Sequence, residues 1–235
     1  MQKQIPFEHL IINGSTTPDI KNYLENNPQP SYRRWINEKD HGISDAFNKG
    51  VVHAKGDIVV MLNSGDAFYS KDVINIVTDE FDKDHTLQWL HSKYELHRGN
   101  IWVIIGKSFS KSKMYRGMRS ICHQTMFIKK ELHDKHGLYD TQLKIAMDYD
   151  FLLRIANEKF IFLRIPLVKF APSGTSNLNY SGSLKEIKTS YKKYYGDSLF
   201  VELWQFRLKL LHTLLQTRLG KMLFKLKTRL KLENM

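Results

Sequence analysis

Two short stretches carry the acidic residues whose types and placement could do chemistry. The first, "VVMLNSGDAFY" at 59–69, runs apolar through Leu62 and then turns to Asn63, Ser64, Gly65 and Asp66. An uninterrupted apolar run reads as a buried strand, and in open α/β sheets ligands gather where loops leave the carboxyl ends of strands. Asn13 to Thr17 follows an earlier apolar run in the same way, so two polar loops fall on one sheet edge. The second stretch, "AMDYDFLLRIA", reads as a helix opened by Asp148, with Asp150 two residues on and therefore pointing elsewhere. Each acid also has a plain structural reading. Asp66 can simply hold a turn and cap the next helix, and Asp148 can be an N-cap, a role worth about 0.5–2 kcal/mol.

The elements that must position these loops follow from periodicity and punctuation. A strand spans Phe7 to Ile12, a helix runs from Pro18 to about Asn26 before Pro28 and Pro30, and "YRRWIN" is a short strand. Ile43, Ala46, Phe47, Gly50, Val51 and Ala54 share one helical face, Gly56 closes that helix, and Ile58 to Leu62 reads as a strand inside a parallel sheet. Strand, helix, strand, helix, strand is the rhythm of a doubly wound α/β domain. Further on come a helix at 71–81 and strands in "TLQWLHSKYEL" and "NIWVIIGK". The basic loop "KSFSKSKMYRGMRS" follows, then strand into helix in "HQTMFIKKEL". "FIFLRIPLVKF" is a strand, "APSGTSNLNYSG" a loop, and the chain is helical after Ser183.

Composition narrows the partners. With 235 residues the chain can bury a sizeable core. The net charge of +12 is uneven: from Val201 onward eight basic residues face two acidic ones, half of the whole excess. Cys122 is the only cysteine, which excludes an internal disulfide and cysteine zinc clusters and fits a reducing compartment. No signal-peptide core or membrane-length apolar run occurs, so a cytoplasmic protein is expected. No nucleic-acid motif accompanies the charge. His85, His91 and His97, six apart, make no compact ligand face.

Taken in order, "FEHLIINGSTTPDI", "EKDHGISDAFNKGVVHAKGDIVVMLNSGD", "HQTMFIKKEL", "GLYD", "AMDYDFLLRIA" and "PSGTS" resemble the family 2 glycosyltransferases of GT-A fold, especially bacterial enzymes of exopolysaccharide and O-antigen assembly. The resemblance spans roughly residues 7 to 178. It implies a GT-A type doubly wound mixed sheet flanked by helices. Residues 1–100 would form the nucleotide-sugar half, 101–182 the acceptor and base half, and 183–235 a helical basic tail. The implied activity is inverting transfer of a sugar from a nucleotide diphosphate donor to an acceptor hydroxyl. The departing diphosphate calls for Mg²⁺ or Mn²⁺, ions that take one or two carboxylates plus phosphate oxygens and water. On this footing Asp66 is the metal ligand and Asp148 the base that removes the acceptor proton. His123, Gln124 and Asp150 face acceptor or diphosphate; Asn13, Ser15, Asp40, Asn48, Lys49, Asn63 and Ser64 lie near the donor. Arg154 is read as an i, i+4 partner of Asp150.

Two departures stand out. Relatives often carry Asp-X-Asp-Asp where this chain has Asn63, Ser64, Gly65 and Asp66, so one carboxylate is left, and Asn13 replaces an aspartate common near the base. The resemblance also implies an opening strand and helix ahead of Phe7, where six residues stand. A strand burying several apolar side chains is worth roughly 10 kcal/mol, as much as a typical domain's whole stability. The expectation is a poorly stable chain with weak donor binding. An upstream start and a decayed copy are the favoured explanations, ahead of a sheet that closes differently. The reading from a different class is therefore a catalytically silent remnant that binds a membrane or a partner.

Trp204, Leu208, Leu211, Leu215, Leu219, Met222, Leu226 and Leu230 form one apolar stripe with flanking cations. The expectation is a continuous amphipathic helix. Up to about Leu215 it packs on the catalytic domain or on a second copy as a homodimer. Beyond that it lies on an anionic membrane surface, peripheral to the inner face, near a lipid-linked saccharide acceptor.

Overall fold

A computed structural model describes residues 7–98, 101–119, 121–171, 179–217, 219–220 and 222–223. "PSGTS", Ser120 and everything beyond Leu223, including Leu226 and Leu230 of the predicted stripe, lie outside the described residues. The order is β1 (His9–Asn13), α1 (Asp19–Asn26), β2 (Arg33–Asn37), α2 (Ile43–His53), β3 (Ile58–Val59), β4 (Ala67–Phe68), α3 (Val73–Lys83), β5 (Trp89–Arg98) and β6 (Ile101–Ile105). After two short 3₁₀ turns, Lys111–Arg116 and His123–Thr125, come β7 (Phe127–Lys129), α4 (Glu131–His136), α5 (Met147–Arg154), β8 (Phe160–Phe170), α6 (Tyr180–Tyr195) and α7 (Leu199–Gln216). The described chain divides into two compact units, 1–194 and 195–235.

The strands form two sheets. β1 and β2 pair in parallel, His9 opposite Arg33 through Asn13 opposite Asn37. The other six are ordered β3-β7-β5-β8-β4, with β6 on the outer part of β5. Only β5 and β8 run parallel there; the remaining pairings are antiparallel. β8 fills the whole apolar run 160–170 that the sequence predicts. Ile58 to Leu62 does not. It shortens to Ile58–Val59 and pairs antiparallel with Lys129 and Ile128, because the residues that would face 60–62 belong to the start of β7 and to the His123–Thr125 turn just before it. Among the described residues no strand pairs with the second edge of β1 or of β3.

Alternation along the strands builds two core layers on opposite faces of the larger sheet. Trp89 and Ile128 join Phe47, Val51, Leu132 and Phe151 under α2, α4 and α5. Leu90 and Phe127, one residue away, join Val73, Val77, Phe81 and Val168 over α3. The fold is thus helix, mixed sheet, helix. α2 also spans the two sheets, since a Cβ at its Gly50 would stand within 3.8 Å of both Ile12 of β1 and Met61 beyond β3. α6 packs with the first unit: Ile187, Tyr191 and Tyr194 close over Met114, Tyr149 and Leu153.

The tail departs from expectation. α7 buries Val201, Gln205 and Leu208, whereas Leu211 and Leu215 of the predicted stripe are exposed. The helix is not continuous either. Thr217 leaves it with an extended backbone, and its hydroxyl oxygen accepts from Gly220 N at 3.0 Å. Gly220 sits so close to Leu214 O that no side chain would fit. No helix among the described residues is long and apolar enough to cross a membrane.

Candidate active site

The site lies on the α5 face of the larger sheet, around the His123–Thr125 turn. Gly65 has φ +93°, with Ala171 Cβ only 3.1 Å from where its own Cβ would stand, so glycine both makes this turn and lets the end of β8 approach. Asp66 closes the turn. Its Oδ2 accepts from Asn63 N at 3.0 Å and from Gln124 Nε2 at 2.9 Å, and its Oδ1 accepts from Ala171 N at 2.9 Å. Asp66 therefore does hold a turn, but it caps no helix: it ties three separate segments together. Its partners among the described residues are neutral N–H groups, so it has no protein cation as counterion there.

Asp148 stands in the first turn of α5, and the plain capping role is taken by another residue. Glu186 of α6 accepts from Lys144 N at 3.2 Å and from Ile145 N and Ala146 N at 2.8 Å each. A carboxylate at a helix N-terminus satisfies donors that the helix cannot, and it complements the helix dipole. Relieved of that task, Asp148 accepts from Tyr149 N at 2.7 Å through Oδ1 and meets His123 Nδ1 at 3.2 Å through Oδ2. The side chains of His123 and Asp148 are 18% and 21% exposed, so both are open to solvent rather than sealed in the core. They line a small cleft whose apolar walls are Val59, Met61, Met126 and Phe151.

The "CHQT" turn connects the two acids. His123 Nε2 is 3.3 Å from Asn63 Nδ2, so Asn63 and Asp148 flank one imidazole. Next to it, Gln124 donates to Asp66 and accepts from the Cys122 thiol at 2.6 Å. Burial pushes that thiol's pKa far up, which keeps it a hydrogen-bond donor. Positions 66, 123, 124 and 148 thus converge on one turn.

Three predicted site residues are placed otherwise. Gln124 is 1% exposed with both amide atoms taken, so it braces Asp66. Asp150 is 1% exposed, accepts from Tyr194 Oη at 3.2 Å and lies 3.2 Å from Arg154 Nε, which makes it an anchor between α5 and α6. Asn48 brackets Tyr139, donating to its carbonyl at 2.9 Å and accepting from its N–H at 2.8 Å. The same local logic governs Arg154, which also donates to the carbonyls of Gly137 and Leu138 at 2.9 Å each.

Asn13, Ser15, Asp40 and Lys49 gather around the ends of β1 and β2. Asn13 is buried, donates to Asn37 Oδ1 at 2.6 Å and accepts from Ser15 N at 3.2 Å; Ser15 Oγ accepts from Thr17 N at 3.1 Å. The Asp40 carboxylate presses on Gly14, where any side chain would collide with it. Lys49 donates to Lys39 O at 2.7 Å and pairs with Glu38 at 3.0 Å and Asp45 at 3.4 Å, and these partners raise its pKa. Ser64 is exposed at the tip of its turn. Glu186, Cys122 and the backbone of Ala171 are functional supports that sequence reasoning missed. Of these, only the acid in an otherwise ordinary helix could have drawn notice.

This helix, mixed sheet, helix domain with two acids gathered on strand-end and helix-start loops can now be set beside known proteins. The profile of Glycosyl transferase family 2 matches residues 2–137, and the chain belongs to that family. An uncharacterised glycosyltransferase of Mycobacterium tuberculosis is 31% identical over 156 residues, covering 63% of this chain and 57% of the relative. A PGL/p-HBAD biosynthesis glycosyltransferase of Mycobacterium bovis is 27% identical over 153 residues, with the same coverage of 63% and 57%. The chain therefore spans little more than half the length of these relatives. Among solved structures, S. aureus TarS 1–349 in complex with UDP-GlcNAc matches with a TM-score of 0.59 at 14% identity, over 85% of this chain and 61% of that one. The mannosyltransferase PcManGT from Pyrobaculum calidifontis, in complex with GDP-Man and Mn²⁺, matches with a TM-score of 0.58 at 14% identity, over 97% and 72%. These likenesses establish the GT-A fold.

Proposed function

We propose that the chain transfers a sugar from a nucleotide diphosphate donor to an acceptor hydroxyl with inversion, Asp148 being the base. The observation that carries this reading is the convergence of Asp66 and Asp148 on the His123–Gln124 turn. The acceptor O–H proton passes to the Asp148 carboxylate while the acceptor oxygen bonds to the anomeric carbon. The bond from that carbon to the diphosphate oxygen breaks, and the nucleoside diphosphate leaves with the electron pair. The ends of β1 and β2 are assigned to the nucleotide through Asn13, Ser15, Asp40 and Lys49, and the Asn63–Ser64 turn to the diphosphate.

Asp66 would hold Mg²⁺ or Mn²⁺. Among the described residues no three ligating side chains cluster, so a closed protein cage is excluded there. One carboxylate without a protein counterion fits an ion that draws its other ligands from diphosphate and water. Such an ion, when bound, offsets charge on the departing diphosphate. Asp66 itself aims its oxygens, held by Asn63, Gln124 and Ala171.

The acceptor is proposed to be a lipid-linked saccharide of surface polysaccharide assembly, met on the cytoplasmic face of the membrane. This is supported by α7, where Leu199, Leu203, Phe206, Leu210 and Leu214 recur at steps of 4, 3, 4 and 4, are all exposed, and are flanked by Arg207 and Lys209. A screen of UDP- and GDP-sugars with Mn²⁺ or Mg²⁺ tests the reaction. Transfer or slow donor hydrolysis is expected, lost on chelation and in Asp148→Ala; a folded chain turning over no donor would make it a silent relative. Flotation with liposomes containing anionic lipid tests the membrane, and Phe206→Glu with Leu210→Glu should abolish it.

A further inference from the structure

His123 has a neighbour on each ring nitrogen, and the two neighbours impose opposite demands. Nδ1 faces Asp148 Oδ2 at 3.2 Å, and a carboxylate oxygen offers only lone pairs, so Nδ1 must carry the proton. Nε2 faces the Asn63 side-chain nitrogen at 3.3 Å, which offers only hydrogens, so Nε2 must accept. A neutral imidazole meets both demands in one way, as the Nδ1–H tautomer. The ring is steadied by Phe47, whose centroid lies 5.5 Å away. The backbone of Asn63 is held as well, since its main-chain N–H donates to Asp66 Oδ2 at 3.0 Å.

We propose that Asn63 sets the tautomer of His123 so that His123 acts as a positioning residue aiming the Asp148 carboxylate, which links the base to the loop that carries Asp66. This rests on the reading of Asp148 as the base. Tyr149 N holds Oδ1 and His123 holds Oδ2, so the carboxylate is fixed about both torsions and presents its remaining lone pairs to the cleft. An aspartate at 63 would meet Nε2 with acceptors only, which the Nδ1–H tautomer does not satisfy. Asn63 and His123 are therefore a matched pair, and movement of the 63–66 turn would be felt at Asp148.

The tautomer can be read without substrate. Long-range ¹H–¹⁵N correlation spectra of the histidine-labelled chain, with His123 assigned by its loss in His123→Asn, should show Nδ1–H; an Nε2–H ring or a doubly protonated ring at neutral pH overturns the proposal. Kinetics supply the second arm. His123→Asn keeps an N–H near the former Nδ1 and should stay within about 10-fold of wild-type kcat, whereas His123→Gln should lose about 10–100-fold. Calorimetric binding of UDP and GDP with Mn²⁺ should be unchanged in both. Equal losses in the two variants, or lost nucleotide binding with kcat kept, overturn it. Failure of the proposed function shows separately, as a wild-type chain without turnover, and the tautomer result stands in either case.

Discussion

The two sheets use similar apolar runs to very different effect. In the six-stranded sheet, β5 is paired on both edges and covered on both faces, and Trp89 and Leu90 have no exposed surface. In the two-stranded sheet, β1 is just as apolar, yet Leu10, Ile11 and Ile12 are only half-buried, because β2 pairs one edge and α2 covers one face. The polar groups divide along the same line. Gln124 donates to Asp66 across 58 positions of sequence and His123 meets Asn63 across 60, whereas Ser15 and Asp40 bond residues two positions away. The acids that would do chemistry are built into the rigid sheet, and the groups assigned to the nucleotide hang on the looser one.

Activity should expose this division most sharply. Asp148→Asn removes the proton acceptor and should lower kcat by about 10²–10⁴-fold with nucleotide binding retained. Asp40→Asn, in the looser sheet, should weaken UDP or GDP binding with kcat at saturating donor kept. Steady-state kinetics paired with calorimetry separates the two. If both variants moved the same parameter, the assignment of chemistry to one sheet and nucleotide to the other would fail.

Stability offers the next contrast. Trp89→Ala leaves a large hole in a closed core and should cost about 3–5 kcal/mol. Ile12→Ala removes a half-buried side chain and should cost about 1–2 kcal/mol, roughly the value of its partial burial. Urea unfolding measures both, and amide exchange should be faster through β1 and β2 than through β5 and β8. Equal costs would mean that the two-stranded sheet is as tightly built as the six-stranded one.

The helices and the long strand were legible because periodicity and flanking residues report burial directly: α1, α2, α3 and β8 fall within two residues of expectation. Pairing is a different matter. The run Ile58–Leu62 is apolar enough for a central strand, but the stretch that would face 60–62 is the start of β7 and the 3₁₀ turn before it, and nothing local to 58–62 records that. The site was half legible for a similar reason. Residue type and family position marked Asp66, His123 and Asp148. The i+2 spacing said that Asp148 and Asp150 diverge, but not that Asp150 is the buried one, since Tyr194 lies 44 residues away. In α7 apolar residues occupy opposite faces, so spacing of three and four could not choose which face is buried.

Acid should act on the six-stranded region first. His133 is 2% exposed, stacks on Phe151 with centroids 4.3 Å apart, and has no hydrogen-bond partner on either nitrogen among the described residues. Burial, helped by the Arg154 charge, lowers its pKa to about 4, and burial alone does the same for His91. With an unfolded value of about 6.5, each contributes fully above that pH and loses its contribution as pH falls toward about 4, about 3 kcal/mol apiece. His133→Phe should flatten half of this loss and gain about 1–2 kcal/mol at neutral pH. Thermal melts between pH 7 and 4 decide it, and an unchanged acid slope would remove His133 as its source.

The smallest expected effect tests how the rigid sheet's scaffold reaches the site. Glu186 accepts three backbone N–H groups ahead of α5 with two oxygens, and Glu186→Gln leaves one acceptor oxygen for them. Asp148 is two residues beyond Ala146, whose N–H would be among those affected, so the helix start should fray where the base is mounted. The expected cost is about 1 kcal/mol of stability, since carboxylates at helix starts are worth about that much. The kcat should fall modestly with UDP and GDP binding untouched, because the nucleotide groups sit on β1 and β2. If Glu186→Gln instead weakened nucleotide binding and spared kcat, the two sheets would be coupled through α6, and the contrast between them would no longer hold.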